Sequence, residues 1–104
     1  MFNRFLVIAT CLILSSVSFA AEFEVGQKNK QFTKRSLTIK AGDVVKFTNE
    51  DPFFHNVFSL SEIKTFDLGS YPKGEFKTVT FDKKGKAEIE CAIHPNMRMT
   101  ITVE

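Results

Sequence analysis

Residues 91–97 read CAIHPNM, so a thiol, an imidazole and a thioether stand within one short stretch at Cys91, His94 and Met97. Thiolate, imidazole and thioether form a soft donor set, and two histidines with a cysteine and a weak axial methionine suit copper in an electron-transfer site. The two residues between Cys91 and His94 let a tight loop aim both side chains at one centre. Such a set needs a second imidazole. The chain has one other histidine, His55, which follows the polar turn NEDP at 49–52. Taken singly, each residue has an ordinary reading as a structural histidine, a small buried hydrophobe or a core filler. Taken together, they engage both histidines of the chain with a cysteine at metal-ligand spacing. Zinc also accepts thiolate and imidazole, but the nearby methionine favours copper. Met99, two residues beyond Met97, is a second candidate for the thioether.

The elements that must position these donors lie in a single domain, since 104 residues allow no more. The first twenty residues stand apart. Asn3 and Arg4 form a short charged start, 5–14 is an apolar run, and Ser18 and Ala20 fit the −3 and −1 positions of a cleavage site before Ala21. This is the anatomy of a secretory signal peptide over 1–20, with a folded domain over 21–104. The apolar run is about half the ~20 residues that a membrane span needs. Lipidation at Cys11 is disfavoured, because threonine precedes it where a small residue is expected and apolar residues follow.

Removal of the leader takes Arg4 and Cys11 with it. The formal net charge of +2 drops by one, which leaves no broad basic excess for binding nucleic acid. The basic cluster Lys28, Lys30, Lys34 and Arg35 reads as a solvated face. Cys91 becomes the sole cysteine and can form no internal disulfide. A lone thiol in an oxidising compartment has to be buried or used.

Along the domain, segments 22–25, 36–40, 44–48, 53–59, 76–81, 86–91 and 99–103 have the alternation or β-branched and aromatic content of strands. Turns fall at 41–43, 49–52 and 82–85. Residues 61–75 have weak periodicity and contain Gly69, Pro72 and Gly74, which predicts a loop with at most one helical turn. About seven short strands and almost no helix imply an all-β sandwich or small barrel.

With these motifs in place, the chain resembles the plastocyanin–azurin family of cupredoxins, and most of all its amicyanin-type members. AGDVVKFTN at 41–49 is similar to the family's Gly-Asp-x-Val-x-Phe-x-Asn strand, His55-Asn56-Val57 to its first-ligand motif, and CAIHPNM to its Cys-x-x-His-Pro-x-Met loop. The resemblance spans nearly all of 24–104. It implies a Greek-key β-sandwich with one copper at one end, held by His55, Cys91, His94 and Met97. Met97 is preferred to Met99 because Ile101 and Val103 then fall four and six residues after the axial ligand, and Met99 aligns with them as core. The resemblance also implies that Asn56 ties the His55 loop to the Cys91 loop. Ile93 and Asn96 depart from the usual proline and aromatic of amicyanins, which leaves the partner open.

The expected activity is one-electron transfer by an exported, periplasmic monomer, with a redox protein as partner and no enzymatic role of its own. The same ligands would also suit a protein that stores or delivers copper. His94 should show a ring edge at the surface, with Ala92, Ile93 and Pro95 as an apolar contact patch. His55 should be buried, with its second ring nitrogen bonded to a backbone carbonyl or a water.

Overall fold

A computed structural model describes residues 19–104; most of the expected leader, Cys11 included, lies outside the described residues. Nine strands follow in order: β1 (Glu22–Lys28), β2 (Gln31–Phe32), β3 (Ser36–Ile39), β4 (Asp43–Asn49), β5 (Val57–Ser61), β6 (Lys64–Asp67), β7 (Phe76–Phe81), β8 (Gly85–Cys91) and β9 (Arg98–Val103). They form two sheets, one in the order β2-β1-β4-β7 and the other in the order β3-β9-β8-β5-β6. The chain passes repeatedly from one sheet to the other, so two parallel pairs, β1 with β4 and β3 with β9, sit among antiparallel neighbours.

Alternation decides which side chains point inward, since the side-chain period of a strand is two. In β4, Val45 and Phe47 are fully buried while Val44 and Lys46 lie toward the outer face; in β8 the buried set is Ala87, Ile89 and Cys91, and in β9 it is Met99, Ile101 and Val103. Phe47 stands at the middle of the sandwich. Its ring meets Phe32 edge-on at 6.4 Å and Phe66 at 6.2 Å. Full burial of an aromatic of this kind stabilises the fold by roughly 1.5–3 kcal/mol.

Two strands go beyond the sequence expectation. The predicted loop over 61–75 contains β6 and no helix. Its stretch Lys64–Asp67 carries one large apolar residue, Phe66, whose register opposite Ser59 of β5 places it against the core. One half-buried anchor is too little to produce a readable alternation. The other addition, β2, arises because β1 continues to Lys28 and folds back at once. Asn29 and Lys30 both adopt left-handed backbone, with φ of 54° and 59°. That pair of positive φ values is what a tight two-residue hairpin requires.

A polar seam fixes the segment between β4 and β5. Asn49 Nδ2 donates to the carbonyls of Phe53 at 3.1 Å and Tyr71 at 2.9 Å, and its Oδ1 accepts from Asp51 N–H at 2.9 Å. Asn49 is itself buried, so these bonds are shielded from competition with water. The turn at 49–52 is thereby held in one shape immediately before His55.

Candidate metal centre

Three donor atoms converge at the end of the sandwich where β5 starts and β8 stops. His55 Nδ1 and His94 Nδ1 are 3.1 Å apart, and Cys91 Sγ lies 3.8 Å from the first and 3.7 Å from the second. Among the described residues, His55, Cys91 and His94 are the group of histidine, cysteine and acidic side chains able to share a metal ion. A triangle with these sides is acute and has an interior point about 2.1 Å from every donor. That is the length of a first-row metal bond to imidazole nitrogen and close to that to thiolate sulfur. The three residues would thus hold one ion between them, and the soft nitrogen–sulfur set suits copper.

Each ligand is held by its own local structure. Cys91 is the last residue of β8 and is buried, with Val57 of β5 directly opposite. The loop that follows closes on itself: Met97 N–H donates to His94 carbonyl at 2.9 Å, and Cys91 N–H donates to Met97 carbonyl at 3.2 Å. This closure brings His94 back over Cys91. Met97, immediately before β9, is fully buried. Met99 lies two residues on within β9, in register with Ile89 and beside the Ala87–Ile101 pair, where it forms part of the core.

His55 is buried, and its orientation comes from a carboxylate. Asp51 Oδ2 lies 2.7 Å from His55 Nε2. With Nε2–H donating to Asp51, the lone pair of Nδ1 is directed at the metal position, the arrangement that fixes tautomer and ring plane in many metal sites. The carbonyl or water expected from sequence is replaced by this side chain. Asp51 is in turn gripped by the β1–β2 turn. Asn29 N–H donates to Oδ1 at 2.7 Å and Lys30 N–H to Oδ2 at 3.1 Å. Burial pushes the Asp51 pKa up, but the amide of Lys30, the bond from His55 and the amide of Asn29 outweigh it and hold the carboxyl below its ordinary value. The left-handed turn is therefore the clamp that keeps Asp51 ionised behind His55.

His94 is partly exposed. Burial, followed by the nearby His55 and Lys30, lowers its pKa against the opposing pull of Asp51. The neutral ring this favours is the form that offers a lone pair to a metal. Phe53 packs on both imidazoles, with ring centroids 5.3 Å from His55 and 5.7 Å from His94, while Lys30 Nζ sits 5.7 Å from the Phe53 ring centroid. Phe53, Phe54 and Ile93 are exposed, as are Ala92 and Pro95 around His94. The apolar surface beside His94 is thus wider than Ala92, Ile93 and Pro95 alone.

Asn56 joins the two ligand loops through its main chain. Its carbonyl accepts from Ala92 N–H at 3.0 Å, and its N–H donates to Cys91 Sγ at 3.5 Å. Its side chain turns away and donates to Asp67 Oδ1 of β6 at 2.7 Å. The N–H···S contact helps to stabilise negative charge on the sulfur.

Sequence reasoning missed Asp51 and Phe53. The signal for Asp51 was its place four residues before His55; that for Phe53 was an aromatic two residues before a candidate ligand.

Residues 19–104 match the sequence model of copper-binding proteins of the plastocyanin/azurin family. The methylamine utilization protein MauL of Methylorubrum extorquens is 28% identical over 106 residues, covering 96% of this chain and 91% of that protein. The crystal structure of amicyanin from Paracoccus versutus superposes with a TM-score of 0.72 at 29% identity, over 84% of this chain and 85% of that one. A copper-containing nitrite reductase from Thermus scotoductus gives a TM-score of 0.76 at 25% identity over 90% of this chain. There the chain spans only 25% of the larger protein.

Proposed function

The chain belongs to the plastocyanin/azurin family of copper-binding proteins, and we propose that it is an exported type 1 copper protein that carries single electrons between redox partners. One observation carries this reading: the donor triangle of His55 Nδ1, His94 Nδ1 and Cys91 Sγ, with sides of 3.1, 3.7 and 3.8 Å. Met97 is the fourth, axial ligand in this reading, supported by its burial in the ligand loop and by the place of Met99 in the core.

Copper bound here supplies a one-electron Cu(I)/Cu(II) couple. The protein's part is to keep the donors in one arrangement for both oxidation states, so that little has to move when an electron arrives. Asp51 fixes the His55 ring, loop closure at Met97 fixes His94, and Phe53 packs over both imidazoles on the side facing water. The Asn56 N–H stabilises charge on Cys91. His94 is the partly exposed ligand and therefore the side on which a redox partner makes contact, with Phe53, Phe54, Ile93 and Pro95 as the apolar surround. Transient redox contacts are characteristically small.

The protein acts as a carrier in this reading rather than as an enzyme. It works as a monomer in the periplasm after loss of residues 1–20. The amicyanin-like fold and the relative named for methylamine utilization make an amine-oxidising dehydrogenase the first electron donor to test.

Titration of the protein with Cu(II) under optical and EPR detection tests the centre. An intense blue band that saturates at one copper per chain, followed by fast electron self-exchange, is expected. Ready transfer of Cu(I) to a chelator without a blue species would replace electron carriage with copper delivery.

A further inference from the structure

Immediately before β1, Ala21 is the first of the described residues whose backbone is engaged on both sides. Its carbonyl accepts from Val44 N–H at 2.9 Å, and its N–H donates to Asp43 Oδ1 at 3.0 Å. Phe19 and Ala20, just before it, are exposed. The other oxygen of Asp43 accepts from Lys40 N–H at 2.8 Å across the turn at 41–42. Asp43 is thus a buried carboxylate with one oxygen committed to its own turn and the other aimed at the nitrogen of residue 21. That nitrogen belongs to the bond at which the leader is expected to be cut.

We propose that Asp43 is the receiving site for the α-ammonium of Ala21, so that cleavage between Ala20 and Ala21 converts an amide hydrogen bond into an ion pair that locks β1 into its sheet. The inference rests on the export reading above. Hydrolysis consumes one water: its oxygen goes to the Ala20 carbonyl carbon, which leaves as carboxylate with the leader, and its two hydrogens complete an NH3+ group on Ala21. The new charge forms where a carboxylate oxygen already waits at hydrogen-bond distance. Charge-assisted bonds of this kind are about twice as strong as neutral ones. A cut one residue earlier or later would displace the ammonium by roughly 3.3 Å along the strand and miss the carboxylate.

The amides of Lys40 and Ala21 already hold the Asp43 carboxyl below its ordinary value, against a smaller upward push from burial, and the Lys40 charge adds to the lowering. Lys40 and Glu104 line the same hollow as Ala21 and Asp43, and Glu22 follows Ala21 in the chain. Pairing with Asp43 would raise the pKa of the ammonium above the ordinary α-amino value of about 7.7–8.0, with Glu22 and Glu104 acting in the same sense and Lys40 against it. The added stability is complete below that ordinary value and is lost as pH rises through the raised one.

The test uses the full chain, exported and recovered from the periplasm. Intact mass identifies the first residue. NMR titration then reads the α-amino pKa, and melting is compared before and after selective Nα-acetylation, in the unsubstituted protein and in Asp43→Asn. We expect Ala21 as first residue, a raised α-amino pKa, and a loss of melting temperature on acetylation that disappears in Asp43→Asn. A first residue other than Ala21 overturns the export reading at this bond and the inference with it. Ala21 with an ordinary α-amino pKa leaves export intact and overturns the inference alone, and this readout needs no substitution to fold. An equal effect of acetylation in both proteins also overturns it.

Discussion

Asp51 and His55 lie four residues apart, and the carboxylate of the first reaches the far ring nitrogen of the second at 2.7 Å, with both side chains buried. The metal-facing nitrogen of His55 is therefore set by a residue that touches no metal. Because Asn29 and Lys30 hold the same carboxylate through their amides, a hairpin turn in one sheet sets the orientation of a ligand leading into the other.

Asp51→Asn should weaken the site without abolishing it. An amide can accept from His55 but adds no negative charge behind the ring, and its NH2 group faces turn amides that are themselves donors. Loss of such a supporting partner costs about 10–100-fold in metal affinity. The loss should fall more on Cu(II) than on Cu(I), because the anionic partner stabilises the higher charge. A tenfold difference between the two raises the reduction potential by about 59 mV. Voltammetry and competitive copper titration check both quantities, and a lowered potential would contradict the role given to Asp51.

Met97 and Met99 should separate cleanly when each is replaced by leucine. Met99 is core, opposite Ile89, and a volume-conserving swap there should cost less than about 1.5 kcal/mol and leave the copper spectrum unchanged. Met97→Leu removes the thioether proposed as the fourth ligand and should raise the potential and alter the visible bands. If Met99→Leu changed the spectrum instead, the axial assignment would pass to Met99.

The donor set was legible in the sequence because Cys91 and His94 share one loop and His55 is the remaining histidine. The strands β4, β8 and β9 were legible because Val45 and Phe47, Ala87 and Ile89, and Ile101 and Val103 alternate with polar residues. The hold on His55 was not legible. Asp51 sits in NEDP, which locally says only that a strand ends, and its amide partners come from 21 and 22 residues away. The direction of the Asn56 side chain was hidden for a similar reason, since Asp67 belongs to a strand whose single apolar anchor gives no period.

Copper should stabilise the fold strongly, because the three donors meet only in the folded chain. A ligand at one hundred times its dissociation constant adds about 2.7 kcal/mol. For a domain of this size that corresponds to a rise of roughly 10–20 °C in melting temperature. Calorimetry with and without one equivalent of copper measures the shift, and Cys91→Ala should lose most of it.

Tyr71 is the chain's one tyrosine and ties the long segment before β7 to the sheet beneath. Its hydroxyl donates to Phe47 carbonyl at 2.8 Å and accepts from Gln27 Nε2 at 2.9 Å, with the side chain buried. Burial pushes its pKa up to about 12, against a smaller lowering by Gln27. The folded value exceeds the unfolded value of about 10, so this contribution to stability is complete below pH 10 and is lost as pH rises toward 12. Spectrophotometric titration should show no phenolate at pH 10 in the folded protein and half-ionisation in the unfolded one. Tyr71→Phe leaves the Phe47 carbonyl without this donor and should cost about 1–3 kcal/mol. Copper binding should be untouched, because the Tyr71 group that supports the His55 segment is its backbone carbonyl, bonded to Asn49. A loss of the blue band in Tyr71→Phe would show instead that the hydroxyl and the metal loop are coupled.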